Sequence, residues 1–306
     1  MDKSFGVKVR HHRLRTAWVP VAAFAMAGAV VAGGWSAGSA AATSTARRTS
    51  PFNLVTSTVR HKFASKIVAI TTPYPPAEYL KSTGKVYTGW EITLTNKIMK
   101  RLGVHVSYLT AVNTDDIPSV KSGRAQISPG SWTVTPARSK IVNYATDFIG
   151  GTQFFVAKSS TLKVSTPGQL CGLTLAVLDA TTEQTRAQAQ SKKCTAAGKQ
   201  PIAIQDYPTE ASVTLAIGAG RAQVGWTGAP QAEYLVGKQP TKFKLAGKQF
   251  TETLHGIVVS KTLPGLAKAI AAEMNVLIKN GTYHKILAKW GVSSEKVTHS
   301  VAVIKK

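Results

Sequence analysis

From about residue 65, apolar positions recur with two periods, the alternation of a β-strand and the three-to-four-residue spacing of an amphipathic helix. The first set has strand patterns at residues 66–71, 104–109 and 125–128 and helix patterns at residues 91–102 and 117–122. In the longer helix, Leu94, Ile98 and Leu102 share one face, and Gly103 is the expected stop. Strands that alternate with helices predict an α/β fold.

A second set of the same kind follows an apolar strand at residues 154–157. Its strand patterns lie at residues 173–178 and 202–205, and its helix patterns at residues 182–190 and 210–219. The segment Gly-Arg-Ala-Gln occurs at residues 123–126 and again at 220–223, each time between a short helix and a strand. This repeat at equivalent points favours two lobes of one architecture. Two amphipathic helices, near residues 270–278 and 283–290, close the chain.

The first 42 residues have the pattern of a targeting segment. Basic residues between Lys8 and Arg15 precede an apolar stretch at residues 17–35, and small residues follow as far as Ala42. We predict a cleaved signal peptide, with an uncleaved anchor as the alternative because the apolar stretch is nearly long enough to span a bilayer. Both place the body of the protein outside the cytoplasm, in a periplasmic or extracellular position at the cell envelope. Residues 43–63 lack a sustained period, which predicts a flexible leader.

The charge balance is strongly basic. The 306 residues include 38 Lys and Arg against 14 Asp and Glu, a formal net charge of +24. A basic surface can attract nucleic acid, anionic lipid or cell-wall polymer. No run of five basic residues and no aromatic residues interleaved with basic clusters occur, so charge spread over the surface is favoured and nucleic acid is not an expected partner. The scarcity of carboxylates also raises the hypothesis of an acidic medium, in which carboxylates lose their solvating value.

The chain has two cysteines, Cys171 and Cys194, and both fall in the exported body. We expect them to form a disulfide, because oxidising compartments let disulfides persist; two free thiols are the alternative. Two cysteines without a nearby histidine cannot complete a tetrahedral metal site. We expect no metal and no cofactor.

Short motifs in a fixed order extend from about residue 66 to 291. They are Tyr-Pro-Pro at 74–76, Gly-Trp-Glu-Ile at 89–92, Arg-Leu-Gly-Val at 101–104, Asn113 with Ile-Pro at 117–118, Gly-Arg-Ala-Gln at 123–126, Thr-Val-Thr-Pro-Ala-Arg at 133–138, Gln-Leu-Cys-Gly at 169–172, Thr-Thr-Glu at 181–183, Gly-Arg-Ala-Gln at 220–223, and Lys-Asn-Gly-Thr-Tyr at 279–283 with Lys-Trp-Gly at 289–291. Their number, order and spacing resemble the extracellular solute-binding proteins, family 3, which serve polar-amino-acid ABC transporters.

The resemblance implies a type 2 periplasmic-binding-protein fold, with two α/β lobes, central mixed sheets and a two-strand hinge. One discontinuous lobe would comprise residues 64–152 and 254–306, and the other residues 153–253. The crossing strands would lie near residues 149–153 and 253–257, with Gly150-Gly151 supplying freedom for closure. The implied protein is a monomer with a transporter permease as its partner, and it touches the membrane only through an uncleaved anchor.

The resemblance also implies the residues that contact the ligand. Arg138 matches the arginine that grips the ligand carboxylate with parallel hydrogen bonds; a surface arginine capping a helix is the alternative. Thr181 and Thr182 match a helix N-terminus that favours an anion, although N-capping alone explains a threonine there nearly as well. The other implied ligand contacts are Tyr74, Glu78, Asn113, Gly130, Ser131, Thr133 and Thr227.

One departure from the family concerns the ligand ammonium. Amino-acid-binding members carry an aspartate for the ammonium where this chain has Gly228. A buried ammonium without a carboxylate is costly. Either Glu78, Asp179 or Glu183 therefore replaces the aspartate, or the ligand is not an ordinary α-amino acid.

The predicted function is capture of a small carboxylate-bearing, amino-acid-like solute for an ABC importer. One alternative is an exported enzyme similar to the cyclohexadienyl dehydratases, which needs a cleft carboxylate as general acid. The other is an envelope protein that binds anionic polymer, for which the net charge is the only support. The chain has no Ser-His-Asp constellation and no nucleotide loop, so we expect a binding protein and not an enzyme.

Overall fold

The computed structural model describes residues 51–63 and 66–305. The strands are β1 Lys66–Thr71, β2 Tyr79–Leu80, β3 Tyr87–Thr88, β4 His105–Thr110, β5 Ile127–Thr133, β6 Asn143–Ala157, β7 Thr174–Leu178, β8 Ala203–Tyr207, β9 Val224–Gly228, β10 Phe243–Val259 and β11 Ala302–Val303. The α-helices are α1 Ser57–Phe63, α2 Trp90–Leu102, α3 Asn113–Ser122, α4 Pro136–Ser139, α5 Thr182–Ala196, α6 Glu210–Gly218, α7 Ala229–Lys238, α8 Leu266–Lys279 and α9 Thr282–Trp290. Three 3-10 helices lie at Pro51–Leu54, Pro167–Leu170 and Ser293–Glu295.

Nine strands form one continuous mixed sheet, in the order β4-β1-β5-β10-β6-β9-β7-β8 with β11 also on β6. At one end β1 pairs in parallel with β4 and β5, and at the other β7 pairs in parallel with β8 and β9. The antiparallel pair β6 and β10 joins these two parallel groups. These two strands, of 15 and 17 residues, are long enough to contribute to both ends of the molecule. The predicted α/β fold with a mixed central sheet is confirmed.

The apolar cores lie on both faces of each end of the sheet. We call the part with β1–β5, α2–α4, α8 and α9 the first lobe, and the part with β7–β9 and α5–α7 the second lobe. In the second lobe, the consecutive residues Phe154 and Phe155 of β6 enter two different cores, one beside α5 and one beside α6. This follows from the alternation of side chains across a strand.

Several helix boundaries differ from the sequence prediction. Helix α2 ends at Leu102, and Gly103 adopts the left-handed conformation at φ 77°, as its position predicted. Helix α5 was predicted to end at residue 190 but runs to Ala196. The last turns are mostly polar, so the sequence gives little periodic signal there although Cys194 is buried. Helix α3 starts at Asn113, four residues before the predicted start at 117. Polar short helices thus give weak periodic signals.

The expected disulfide between Cys171 and Cys194 is present. Cys171 follows the 3-10 helix at Pro167–Leu170, and Cys194 lies in the last turns of α5 at 1% exposure. Closing a loop of this length, with a sequence separation of 23, stabilises a fold by about 3 kcal/mol in the chain-entropy model.

The predicted flexible leader at residues 43–63 overlaps a segment with regular structure. Residues 51–63 form a 3-10 helix and α1, and Val55 is 1% exposed in the core of the first lobe. A Cβ at Gly265 would lie 1.8 Å from the carbonyl oxygen of Leu54, so this segment packs directly against the start of α8. The predicted targeting segment at residues 1–42 lies outside the described residues. Within the described part, no helix is long and apolar enough to cross a membrane.

Candidate functional site

A cavity of about 50 Å³ lies between the two lobes. Nine of the ten predicted ligand residues line it: Tyr74, Glu78, Asn113, Gly130, Ser131, Thr133, Arg138, Thr181 and Thr182. The tenth, Thr227, lies behind Tyr74, with the two hydroxyl oxygens 2.8 Å apart. Motifs far apart in the chain therefore converge on one place, although contact of each residue with a ligand stays a prediction.

The lobes touch each other directly across this cavity. Asn113 Nδ2 donates to the carbonyl oxygen of Asp179 at 2.6 Å, and the hydroxyls of Thr133 and Thr182 lie 3.3 Å apart. The backbone N–H of Gly228 donates to the Tyr74 hydroxyl at 2.9 Å. Ligand sites are usually 300–1,000 Å³, so a cavity of about 50 Å³ is smaller than the usual ligand site in this arrangement of the lobes.

The position of Arg138 follows from local chain chemistry. Helix α4 follows β5 after a two-residue connection; Thr135 caps it by accepting from the N–H of Arg138 at 3.2 Å, and Pro136 occupies a first-turn position. The Arg138 guanidinium lies 4.9 Å from the centre of the Trp132 ring, a cation–π geometry. It donates to the carbonyl oxygens of Thr133 at 3.2 Å and Ala180 at 2.7 Å. Arg138 thus bridges the lobes.

Burial lowers the pKa of Arg138, while the charges of Tyr144 and Glu183 raise it. A guanidinium keeps its proton in such surroundings, so the group remains a cation. It has five N–H donors, of which the two carbonyl contacts use two. The remaining donors are available for a carboxylate in the cavity.

At the N-terminus of α5, the hydroxyl of Thr181 accepts from the N–H of Gln184 at 3.2 Å and donates to the carbonyl of Leu178 at 2.7 Å. Thr181 is therefore an N-cap, as the alternative interpretation expected. The hydroxyl of Thr182 donates to Glu183 Oε2 at 3.1 Å. Glu183 also lines the cavity, which the sequence analysis proposed only as one way to replace the missing aspartate.

Gly228 ends β9 and caps α7. A Cβ at this position would lie 2.2 Å from Gln231 Oε1 and 3.1 Å from the Tyr74 hydroxyl. The space in which a side chain at 228 would begin is therefore filled by an amide and a phenol. No carboxylate stands at position 228, and Glu183 is the acidic residue that the second lobe contributes to the cavity lining.

Two buried carboxyl groups of the first lobe also line the cavity. Glu78 and Asp116 are each 1% exposed and both line the cavity. Glu78 Oε2 and Asp116 Oδ1 are buried without a hydrogen-bond partner. Burial raises the pKa of both groups, that of Asp116 to about 7. Asp179, the third candidate from the sequence, does not line the cavity; its carboxylate accepts from Gln184 at 3.4 Å.

Residues that the sequence analysis did not select complete the lining: Thr72, Asp116, Trp132, Phe148, Gly151, Leu178, Pro230, Gln231 and His255. His255 Nδ1 lies 2.5 Å from the carbonyl oxygen of Ser131, and Nε2 lies 3.1 Å from the Thr253 hydroxyl. Burial lowers the pKa of His255, so the neutral ring donates from Nδ1 and accepts at Nε2. His255 could have been selected from the sequence, because a polar histidine lies inside the predicted crossing strand at 253–257.

Comparison with known proteins decides the family. Residues 67–293 match the bacterial extracellular solute-binding proteins, family 3. The chain belongs to this family. An arginine-binding protein of Corynebacterium glutamicum is 27% identical to it over 221 residues, 72% of each chain. The structure of an ancestral arginine-binding protein bound to arginine is 25% identical with a TM-score of 0.67, covering 74% of this chain and 97% of that one.

A second similar structure bears on the enzyme alternative. It is an ancestral amino-acid-binding protein described as a precursor of cyclohexadienyl dehydratase, 26% identical with a TM-score of 0.65, covering 76% of this chain and 99% of that one. The other relatives reported above are binding proteins. This solute-binding protein is accordingly the substrate-binding component of an ABC importer and not an enzyme. Its described residues contain no group of three or more His, Cys, Asp or Glu arranged to hold a metal ion.

Proposed function

We propose that this protein captures a cationic amino acid, with arginine as the leading candidate, and presents it to the permease of an ABC importer. The observation that carries the proposal is the separation of charge in the cavity. Arg138 supplies a guanidinium to one part of the lining, and Glu78 and Asp116 supply two carboxyl groups to another.

The carboxylate of the ligand fits the side of Arg138. The guanidinium offers free N–H groups in a planar fork, which matches two carboxylate oxygens. The N-terminus of α5, with Thr182 in its first turn, adds the positive end of a 15-residue helix. These groups face each other across the cleft, so a carboxylate between them would hold the lobes together.

The cationic group of the ligand fits the side of Glu78 and Asp116. Their two unpartnered oxygens are buried, and a buried oxygen without a partner is destabilising until a donor reaches it. Neither acid is ion-paired; the salt bridge found within the described ranges joins Arg101 and Glu273. A guanidinium or ammonium would satisfy both oxygens. The arginine-binding relatives support the same ligand class.

Titration calorimetry with arginine, lysine, citrulline and succinate tests the proposal, since these ligands vary the cation and the carboxylate separately. Arginine should bind most tightly. Arg138→Ala should weaken binding by well over tenfold, because truncating one side of a buried charged pair typically costs about 2 to 5 kcal/mol. Arg138→Lys should recover only part of the affinity, since it has no bidentate fork.

Arg124→Ala is the matched control, because Arg124 is exposed on the same lobe and does not line the cavity. Circular dichroism should show that all three variants fold. Binding by a folded Arg138→Ala protein within twofold of the parent would remove the carboxylate assignment. Equal affinities for succinate and arginine would contradict the assignment of a ligand cation to Glu78 and Asp116.

A further inference from the structure

Four carboxyl groups of the first lobe are buried together beneath the cavity. Glu78, Glu91, Asp116 and Asp147 are each at most 1% exposed. They come from four places in the chain: the bridge that pairs Glu78 with Tyr74, the first turn of α2, the first turn of α3, and β6. No Lys or Arg in the described part forms an ion pair with any of them. Four unpaired carboxylates cannot all be ionised in such a place.

The hydrogen bonds favour Glu91 as the anion of this cluster, because they oppose the burial that raises its pKa. Its carboxylate accepts from the backbone N–H groups of Gly130 at 2.9 Å and Ser131 at 2.8 Å, and from the Ser131 hydroxyl at 3.1 Å. Three donors favour the ionised form. Gly130 and Ser131 themselves line the cavity, with Ser131 held at a φ of 49°. Glu91 therefore also fixes the backbone that faces the ligand.

The surroundings of Glu78 and Asp147 favour the protonated form next to this anion. Glu78 Oε2 and both carboxyl oxygens of Asp147 are buried without a hydrogen-bond partner. Burial without a donor disfavours the charged form of a carboxyl group. Burial, followed by the charge of Glu91, raises the pKa of Glu78 and of Asp147 well above the usual range.

The cluster opens to the ligand at one end only. Glu78 and Asp116 line the cavity, whereas Glu91 and Asp147 lie behind them. The titratable or charged groups around Glu78 and Asp116 are Glu91, Asp115, Asp147, Tyr74, Tyr87 and Tyr108 within the first lobe, with Arg138, His255 and Glu183 elsewhere on the cavity wall. Of these, only Arg138 is a permanent cation, and it is hydrogen-bonded to two carbonyl groups instead of to an acid.

We propose that Glu78 and Asp116 bind the cationic side chain of the ligand in exchange for a proton, so that capture is a cation–proton exchange. This inference rests on the proposed function. The protonated pair gives one proton to solvent while the cleft is open, and the resulting carboxylate pairs with the incoming cation. Charge is conserved, because one positive charge leaves the cavity as another enters. Without this exchange the cation would be buried beside neutral acids, which is strongly unfavourable.

Calorimetry in buffers of different ionisation enthalpy measures the exchange, because released protons add the buffer heat to the binding heat. At pH 6, arginine should release about one proton, and its affinity should rise by up to about tenfold per pH unit between pH 5 and 6.5. Citrulline has the same shape with a neutral end, which can hydrogen-bond to a protonated acid. It should bind without proton release.

The variants Glu78→Gln and Asp116→Asn test the two acids separately, so that one remains informative if the other fails to fold. Each should abolish most of the proton release and flatten the pH dependence of arginine binding. Asp115→Asn is the matched control: it removes the same charge from the neighbouring position of α3, which is exposed and does not line the cavity. It should release as many protons as the parent.

The outcomes separate this inference from the proposed function. If arginine binds with a heat that is the same in every buffer, the exchange is wrong and the proposed function stands. If arginine and citrulline release equal numbers of protons, the acids do not hold the side-chain cation, and the exchange is again overturned. If no amino acid binds at any pH, the proposed function itself fails and the exchange fails with it.

Discussion

At the scale of single residues, position 228 decides which groups of the second lobe face the ligand. Gly228 leaves room for the Gln231 amide, which is 4% exposed and lines the cavity. Its φ of −59° is ordinary for any residue, so the glycine is required by close approach and not by backbone strain. With no carboxylate at position 228, the acidic residues that line the cavity are Glu78 and Asp116 of the first lobe and Glu183 of the second.

Gly228→Ala should weaken ligand binding, because the added methyl would lie 2.2 Å from Gln231 Oε1 and the amide must move from its place in the cavity wall. The cost to the free energy of unfolding should be small, since the colliding atom is the end of a flexible side chain. The double variant Gly228→Ala/Gln231→Ala should recover much of the loss, since the colliding amide is gone. A double-mutant cycle from denaturant unfolding and calorimetry measures the coupling. Strictly additive effects of the two substitutions would contradict this packing.

Sequence predicted the site best where its residues lie in contiguous motifs. Arg138 and Thr181 stand at helix N-termini whose capping chemistry is local, so their placement follows from neighbours in the chain. Asp116, Gln231 and His255 reach the cavity through the packing of α3, α7 and β10 against distant elements. The sequence pattern does not show that a polar residue faces inward when the residues it packs against are distant in the chain.

At the scale of elements, β6 and β10 are the strands that join the two lobes. Thr253 pairs with Gly150 and Leu254 with Ile149, and the pairing shifts register on both sides of this point, between Phe250 and Thr253 and between His255 and Gly256. A Cβ at Gly150 would lie 2.3 Å from the Phe148 ring. Irregular pairing interrupts the ladder of hydrogen bonds, so bending there disturbs fewer regular contacts than bending in the flanking segments.

We predict rotation of the lobes about these strands when a ligand binds. Small-angle scattering should give a larger radius of gyration for the free protein than for the protein saturated with ligand. Tyr74→Phe removes the hydroxyl that meets Thr227 and Gly228 across the cleft, and should enlarge the free form further. Identical dimensions for free and saturated protein, together with no enlargement in Tyr74→Phe, would argue against closure of this kind.

At the scale of the whole molecule, about half of the few carboxyl groups in the described ranges lie inside. The buried ones are Glu78, Glu91, Asp116, Asp147, Glu210, Glu273 and Glu295. The surface is therefore even poorer in carboxylates than the composition indicates. Acidification changes the charge of such a surface little, which agrees with the hypothesis of an acidic medium drawn from the composition.

The free energy of unfolding should fall as the pH rises from about 4 to 8. Burial raises the pKa of Asp116 to about 7 and of Glu210 and Glu295 to about 8. Between the unfolded values near 4 and these folded values, the folded protein binds more protons than the unfolded chain, so rising pH favours unfolding. One such carboxyl contributes at most about 1.4 kcal/mol per pH unit. Urea unfolding at pH 4, 5, 6, 7 and 8 measures the trend, and a midpoint that rises across this range would contradict it.

Residues 51–63 distinguish the two lobes, because this segment packs against the first lobe. This segment is packed into the first lobe through Val55, beside the start of α8. Whatever precedes residue 51 therefore reaches the folded body on the lobe that carries Arg138, Glu78 and Asp116. If the N-terminal segment holds the protein at the membrane, the first lobe is the anchored one, and it carries Arg138, Glu78 and Asp116. The second lobe would then be the part that rotates, and opening would carry Glu183 and the N-terminus of α5 away from the anchored lobe.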